Sequence, residues 1–142
     1  MKKYLDAEPE SGKKFYQDFN GKGKVVMLNL LKYKSKADYS NLENLRPANE
    51  VSGEEAYGLY LKYTMPELTK AGSKILFYGS SRNFLIGPEN ECWDAVLLVE
   101  HESVERFIAL SQSKDYMKTA GHRTAALEDS RLLPINQNTL NL

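Results

Sequence analysis

The apolar positions along the chain change period, and the period separates strands from helices. Continuous or alternating apolar residues, which are typical of strands, occur in four segments: 24–31, 74–87, 92–100 and 130–135. The first of these has the pattern of a strand buried on both faces, with Asn29 as its polar exception. Gly79 indicates a bulge or bend in the second strand, and Pro134 restricts the fourth strand to a sheet edge or a strand end.

Helical spacing marks the segments between these strands. Residues 10–19 have the pattern of a short amphipathic helix. Residues 52–55 have the capping-box spacing that begins a second helix, which Pro66 ends or kinks and Gly72 closes. Two further serines precede helical patterns and are predicted N-caps: Ser103 and Ser113.

The resulting order is β-α-β-β-α-β after an N-terminal helix, which is the ferredoxin-like arrangement of an α+β protein. We divide the chain into an N-terminal helical extension at 1–23, a ferredoxin-like domain at 24–135 and a tail at 136–142. The polar segment 32–51 is a long connection inside this domain, predicted to be a solvated surface insertion or, alternatively, a lid. Because both phases of the first and third strands are apolar, a homodimer through the sheet face without helices is predicted.

Charge and composition exclude several classes of partner. The chain contains 19 Lys plus Arg and 19 Asp plus Glu, so it has no basic surplus for a large nucleic-acid or membrane-surface patch. No apolar stretch approaches the roughly 20 residues of a membrane helix, and no signal-peptide core follows Met1, which favours a cytoplasmic protein. Cys92 is predicted to be a buried thiol, and His101 and His122 lack zinc-ligand spacing, so neither a metal nor a cofactor is expected.

The strands and helix starts share a set of short stretches with a known family. These stretches are Met27–Leu31, Gly72–Gly79, Ile86–Gly87, Trp93–Asp94, Ser103, Tyr116 and, most specific, His122–Leu132. Together, over residues 24–134, they resemble the longer form of the family called domain of unknown function 1330. The resemblance implies the dimeric α/β-barrel superfamily, in which two ferredoxin-like sheets pair and a cavity lies between sheet and helices or inside the barrel. Relatives in that superfamily include cofactor-free monooxygenases, isomerising enzymes, haem enzymes and ligand-binding regulators.

The resemblance and the residue chemistry together single out His122 and Arg123. His122 is a candidate general acid/base, and Arg123 is a candidate clamp for a carboxylate or enolate. Alternatively, Arg123 pairs with Asp129 or Glu128, and His122 bonds to the backbone. Asp94 is a candidate to orient His122 or to pair with Arg123, and otherwise makes a hydrogen bond at a strand end.

A second set of residues has the chemistry to line a pocket. Asn29 can present its amide to a ligand carbonyl or a developing oxyanion, or it can bond to a neighbouring strand. Aromatic pocket walls are predicted at four positions: Tyr57, Tyr60, Tyr78 and Trp93. These rings otherwise belong to the core or to an interface. Asp129 and Ser130 are candidate supports for the adjacent histidine and arginine, or part of a solvated turn.

These observations favour a homodimer that binds a small molecule. The most specific hypothesis is a cofactor-free oxygenase or isomerase that acts on a carbonyl-bearing or aromatic metabolite. In such a reaction His122 transfers a proton, while Arg123 and Asn29 stabilise developing negative charge. The alternative is a non-catalytic homodimer that binds a ligand, or a partner protein through segment 32–51. A purely structural dimer is the third hypothesis, and it requires that no cavity exists.

Overall fold

The computed structural model describes residues 2–141, in which helices cover one face of a four-stranded sheet. The helices are Pro9–Phe19 (α1), Gly53–Lys70 (α2), Val104–Gln112 (α3), Lys114–Thr119 (α4) and Gly121–Ala126 (α5). The strands are Val25–Tyr33 (β1), Lys74–Ser80 (β2), Ala95–His101 (β3) and Leu127–Ile135 (β4). They lie in the order β2-β3-β1-β4, and neighbouring strands are antiparallel. This confirms the predicted ferredoxin-like α+β fold with an N-terminal helix.

Alternation in β1 divides its side chains between the two faces of the sheet. Val25, Met27 and Leu31 are buried beneath the helices. Leu28 and Leu30 point to the opposite face and are partly buried. We predicted that β1 is buried on both faces. Within one chain, its side chains are fully buried only on the face that the helices cover.

Helix α2 begins and ends at the residues that its local sequence specifies. Ser52 and Glu55 form both hydrogen bonds of the capping box. The helix continues through Pro66, which lies on its exposed side, where water can satisfy the carbonyl that loses its amide partner. The helix ends at Lys70, and Gly72, two residues later, has a φ of 73°. The Ser73 amide donates to the Leu68 carbonyl at 2.8 Å. This is the Schellman arrangement that favours glycine.

The second and third strands are shorter than predicted. β2 ends at Ser80, and β3 begins at Ala95 rather than at residue 92. The apolar run at residues 84–86 lies between these strands and pairs with no strand among residues 2–141. One isolated bridge, between Asn83 and Cys92, connects the two sides of this loop, and Leu85 and Ile86 are exposed. An apolar run alone does not make a strand when no neighbouring backbone is available to pair with it.

The irregularities in the sheet also differ from the prediction. The register of β2 shifts between Ile75 and Phe77, not at Gly79. Gly79 instead lies under the Phe77 ring, where an added Cβ would come within 2.7 Å of the ring. β4 begins at Leu127, earlier than the predicted residue 130, because it continues to pair with the end of β1. Its position at the sheet edge accommodates Pro134, as predicted.

The segment between β1 and α2 exposes most of its polar residues, but it is attached to the domain at several points. Tyr39 is 5% exposed and belongs to the hydrophobic core. The Lys34 amide donates to the Ala126 carbonyl at 2.8 Å, and the Asp38 amide donates to the Ala125 carbonyl at 2.9 Å. These bonds attach the segment to the end of α5. Within residues 2–141, no helix has the length and apolar character needed to cross a bilayer.

Candidate functional site

A cavity of about 220 Å³ lies between the sheet and the helix layer, inside one copy of the chain. Its floor comes from β1, β3 and β4, its sides come from α2, α3 and α4, and residues 5–7 of the N-terminal segment cover it. We call it the inner cavity. Most of its wall is apolar: Leu5, Met27, Leu61, Leu68, Ile75, Leu97, Val99, Phe107, Leu110 and Leu132. An apolar wall with a few polar groups is the usual composition of a small-molecule site.

A second cavity of about 510 Å³ adjoins the first beneath α1 and the N-terminal segment. We call it the outer cavity. The two cavities share residues 5–7 together with Met27, Phe107, Arg123 and Leu132. The N-terminal segment and Arg123 therefore lie at the boundary between the two spaces.

Tyr57 and Tyr60 line the inner cavity from α2. Their rings are 5.2 Å apart, and the Tyr60 hydroxyl lies 2.8 Å from the hydroxyl of Tyr116. Burial raises the pKa of both Tyr57 and Tyr60, so both phenols stay protonated at neutral pH. They offer hydrogen bonds without adding charge.

Arg123 supplies the positive charge of the cavity wall. Its Nη1 donates to the Leu5 carbonyl at 2.7 Å, and its Nη2 donates to Ser130 Oγ at 3.3 Å. No carboxylate among residues 2–141 forms an ion pair with it, because Asp129 pairs with Arg131 and Glu128 pairs with a lysine. The alternative pairing of Arg123 with either acid is therefore not formed. Two neutral partners orient the guanidinium, and the Asp6 carboxyl, which lines the same cavity, forms no ion pair with it.

Asn29 lines the inner cavity from the middle of β1. Its Nδ2 donates to the Leu97 carbonyl at 3.2 Å and to the Met27 carbonyl at 3.4 Å. Since a carbonyl can only accept, these bonds fix the orientation of the amide and leave Oδ1 for the cavity. The Asn29 amide thus makes the bond to a neighbouring strand that was one of the two predicted alternatives. Its oxygen can accept a hydrogen bond from a ligand, but its nitrogen is already used as a donor.

Four polar residues of the inner cavity were not predicted from the sequence: Asp6, Thr64, His101 and Ser111. Thr64 is 4% exposed, and its Oγ1 is buried with no hydrogen-bond partner among residues 2–141. His101 is 3% exposed, and its Nδ1 lies 2.7 Å from Ser73 Oγ. Burial lowers the pKa of His101 to about 4, so its imidazole is neutral at physiological pH.

The sequence does contain a signal for Thr64 and His101. His101 is in phase with Leu97 and Val99, so alternation places it on the inner face once β3 extends beyond residue 100. Thr64 lies four residues after Tyr60 and four before Leu68, on the buried side of α2.

His122 lies outside the inner cavity. It is 4% exposed, and its Nδ1 is 2.7 Å from the Tyr39 hydroxyl. Its ring stacks on Tyr63 at 5.5 Å with an interplanar angle of 14°. Burial lowers its pKa, so the ring is neutral at physiological pH. The hydrogen-bond partner of the His122 ring is thus the Tyr39 side chain, from the connection after β1. The alternative prediction, a bond from His122 to the backbone, is not formed among residues 2–141.

Asp94, Trp93 and Tyr78 do not line the inner cavity either. Asp94 Oδ2 accepts from the Tyr33 amide at 2.8 Å, which is the strand-end hydrogen bond considered as its alternative. Trp93 is buried, with the Arg131 guanidinium 4.9 Å from its ring. The Tyr78 hydroxyl lies 2.6 Å from that of Tyr33.

Asp129 and Ser130 hold the N-terminal segment rather than His122. The Tyr4 amide donates to Asp129 Oδ1 at 2.8 Å, and Ser130 Oγ donates to the Tyr4 carbonyl at 2.6 Å. Burial opposes the charge on Asp129, yet hydrogen bonds from Tyr4 and Arg131 lower the pKa of its carboxyl. Because Ser130 also contacts Arg123, this junction positions the guanidinium and the cavity roof together.

Within residues 2–141, no group of three or more His, Cys, Asp or Glu side chains is arranged to hold a metal ion. The polar groups that line the inner cavity are instead one guanidinium, the Asp6 carboxyl at the N-terminal segment, an amide, an imidazole and several hydroxyls. This set can bind an organic molecule through an anionic group and neutral hydrogen bonds.

The fold and cavity define a ferredoxin-like α+β protein with an internal apolar chamber. The chain is 30% identical to a protein of unknown function from Rhodopseudomonas palustris, whose crystal structure it matches over 98% of this chain and 100% of that chain, with a TM-score of 0.85. A methylated form of the same protein matches at 31% identity, with the same TM-score. The chain therefore belongs to the family of this R. palustris protein.

A more distant structure shares the fold alone. It is a dimeric ferredoxin-like protein of unknown function from Bacteroides fragilis, 11% identical, with a TM-score of 0.50 over 84% of this chain and 99% of that chain. No family model matches the chain, so the resemblance to domain of unknown function 1330 remains a prediction. No curated protein matches it either.

Proposed function

We propose that the protein binds a small, largely apolar organic acid in the inner cavity, with its acidic group held by Arg123. The observation that carries this proposal is the guanidinium in the cavity wall, which has neutral partners and no ion pair among residues 2–141. A partly buried charge of this kind gains most from an anion that makes charge-assisted, bidentate hydrogen bonds.

The size and lining of the cavity support a compact ligand. A volume of about 220 Å³ lies below the range of roughly 300–1,000 Å³ that drug-sized ligands occupy, so a single-ring or short-chain compound fits. A buried hydroxyl without a partner, such as that of Thr64, costs about 1–3 kcal/mol. A ligand that reaches this hydroxyl would remove the penalty.

Binding, rather than proton transfer by His122, is the function that this geometry supports. The Tyr39 hydroxyl occupies one nitrogen of that ring, and the ring lies outside the cavity wall. Asp94 is bonded to the β1 backbone and is not placed to orient it. The oxygenase and isomerase hypotheses therefore gain no support from these two residues.

Isothermal titration calorimetry with three pairs of compounds tests the binding proposal. The acids are benzoate, phenylacetate and 3-phenylpropionate, and each is compared with its alcohol of the same length. We expect at least one acid to bind about tenfold or more tightly than its alcohol, because the alcohol cannot pair with Arg123. The Arg123→Met variant should lose this preference, and Arg123→Lys should retain part of it.

The controls separate lost binding from lost folding. Arg123 also holds the Leu5 carbonyl, so thermal melting must show that each variant is folded. Ser130→Ala removes one support of the guanidinium but keeps its charge, so it should weaken binding of the acids without abolishing their advantage. Equal binding of acid and alcohol in all three pairs, or no binding of any acid, would overturn the proposal.

We also propose that a second copy of the chain covers the helix-free face of the sheet. Partly buried Leu28 and Leu30 lie there beside Leu133 and Phe77, which are 57% and 56% exposed. Glu100, which pairs with Lys24 and Lys74, lies at the border of this apolar surface. The B. fragilis protein with the same fold is described as dimeric. Contiguous exposed apolar surface of this kind favours association with a matching surface.

Light scattering after size-exclusion chromatography tests the dimer. We expect a dimer mass at micromolar concentration and a folded monomer for Leu133→Glu. Leu85→Glu, at an equally apolar but separate position that is 98% exposed, is the matched control and should stay dimeric. A monomer mass for the unaltered protein would refute the proposal.

A further inference from the structure

The inner cavity has two polar ends. Arg123 contacts Ser130, which pairs with Leu31 near the end of β1, whereas His101 pairs with Val25 at its start. The two β1 positions are six residues apart, so Arg123 and His101 approach the cavity from opposite ends of the strand. Both side chains line the cavity, and Asn29 lies on β1 between these positions.

His101 is held as a fixed, neutral hydrogen-bonding group at its end of the cavity. Ser73 Oγ lies 2.7 Å from Nδ1, and the Phe107 ring packs against the imidazole at 4.9 Å in an edge-on arrangement. The hydrogen bond to Ser73 is the one that the His101 ring makes among residues 2–141, and it leaves the other ring nitrogen, Nε2, for a ligand. A neutral imidazole with one nitrogen bonded still offers the other as donor or acceptor.

The polar atoms nearby favour a hydroxyl on the ligand. Ser73 can donate or accept, so the tautomer of His101 can adjust to the group that meets Nε2. Thr64 Oγ1 is a second buried group without a partner among residues 2–141, and it too can donate or accept. A ligand carbonyl can only accept, whereas an O–H group can donate to or accept from His101 Nε2 and Thr64 Oγ1, so a hydroxyl suits this pair better. A second charged group is disfavoured there, because burial keeps His101 uncharged.

We propose that the ligand is a monocarboxylic acid whose far end carries a neutral hydroxyl, and that His101 Nε2 is the partner of this hydroxyl. This rests on the proposed function, since it takes Arg123 as the site of the acid group. His101 is then a specificity residue. It gives hydroxylated acids a higher affinity than acids without a hydroxyl, which Arg123 alone would bind equally well.

The test compares two pairs of acids by calorimetry: 3-phenylpropionate and 5-phenylpentanoate, each against its 4-hydroxyphenyl analogue. We expect at least one hydroxylated acid to bind about tenfold more tightly than its parent, since a site built to pair a hydroxyl rejects the analogue that lacks it. His101→Leu should lose this preference while binding the parent acid within about threefold of the unaltered protein. His122→Gln, which changes the buried histidine outside the cavity, is the matched control and should keep the preference.

The outcomes distinguish the two proposals. If no acid binds, the proposed function fails. If the acids bind but hydroxylated and parent acids bind equally, or if His101→Leu keeps the preference, the role of His101 fails alone. Should His101→Leu not fold, nitrogen NMR of the unaltered protein decides: the hydroxylated acid must shift His101 Nε2 more than the parent acid does, and equal shifts would overturn the inference.

Discussion

The Tyr39 hydroxyl lies 2.7 Å from Nδ1 of His122, and both side chains are buried. This bond joins the connection after β1 to helix α5, across 83 residues of sequence. The ring of Tyr63 stacks on the other side of the histidine, so α2 takes part in the same contact. His122 is therefore placed to organise three segments of the fold.

Tyr39→Phe removes this hydrogen bond and leaves a buried ring nitrogen without its partner. We expect the free energy of unfolding to fall by about 1–2 kcal/mol, measured by urea denaturation. Tyr16→Phe is the control, because Tyr16 is 43% exposed, and it should change stability by less than about 0.5 kcal/mol. An unchanged stability of Tyr39→Phe, together with lost binding of 3-phenylpropionate, would instead place this pair in the ligand site.

Two glycines of α2 should respond oppositely to alanine. A Cβ on Gly53 would come within 2.1 Å of the Lys34 carbonyl oxygen and 2.6 Å of the Ala126 carbonyl oxygen, so the backbone must move. We expect Gly53→Ala to destabilise the protein by about 3 kcal/mol. A Cβ on Gly58 meets nothing within 4 Å, so Gly58→Ala should stabilise the helix by up to about 1 kcal/mol. Equal melting temperatures for the two variants would contradict the close approach at Gly53.

Asp129→Asn should release the N-terminal segment. The change removes the charge that receives the Tyr4 amide and the Arg131 guanidinium, and hydrogen bonds to charged groups contribute about 1.5–3 kcal/mol each. Hydrogen exchange at the amides of residues 3–7 should accelerate, and binding of acids should weaken because Leu5 and Arg123 lose their alignment. Glu128→Gln breaks an exposed pair with Lys3 and serves as the neighbouring control, with an effect below about 0.5 kcal/mol. Equal exchange rates in the two variants would show that Asp129 does not anchor the segment.

Acidification should destabilise the protein through His101. The unfolded chain protonates this side chain near pH 6.5, whereas burial lowers its pKa to about 4 in the folded protein. Protons therefore favour the unfolded state within this window, and stability is lost as pH falls from 6.5 towards 4. Across this pH window, protonation of His101 should lower the free energy of unfolding by about 3 kcal/mol, since each pKa unit corresponds to about 1.4 kcal/mol.

Chemical denaturation at several pH values between 7 and 4 measures this loss. His101→Leu should reduce the slope of stability against pH in this window. His122, whose pKa burial also lowers, should account for a smaller remaining slope. An unchanged slope in His101→Leu would show that His101 is not kept neutral by the fold.

Local sequence was sufficient for much of the fold. Ser52 and Glu55 cap α2 through neighbours three residues apart, and the alternation in β1 follows from the pleat itself. The apolar run at Leu85 failed as a strand because strand formation depends on a distant partner. Local patterns do not contain that information.

The same limit explains which site residues could be predicted. Tyr57 and Tyr60 project from a predicted helix face, so their place in the cavity wall followed from spacing. The orientation of the His122 ring depends on Tyr39, and the orientation of the Arg123 guanidinium depends on the Leu5 carbonyl of the N-terminal segment. Neither contact has a signature in the residues that flank them. His101 was missed because the predicted strand ended one residue before it.

The bond from Arg123 to the Leu5 carbonyl has a consequence for the order in which the protein is made. These residues are 118 positions apart, so the ribosome releases the cavity roof long before its anchor exists. Until α5 and β4 emerge, residues 5–7 have no guanidinium or Ser130 hydroxyl to hold them. A nascent chain stopped before Arg123 also lacks β4, and therefore part of the cavity floor together with the positive charge. The ability to retain an acid should therefore appear only after Arg123 and β4 have left the ribosome.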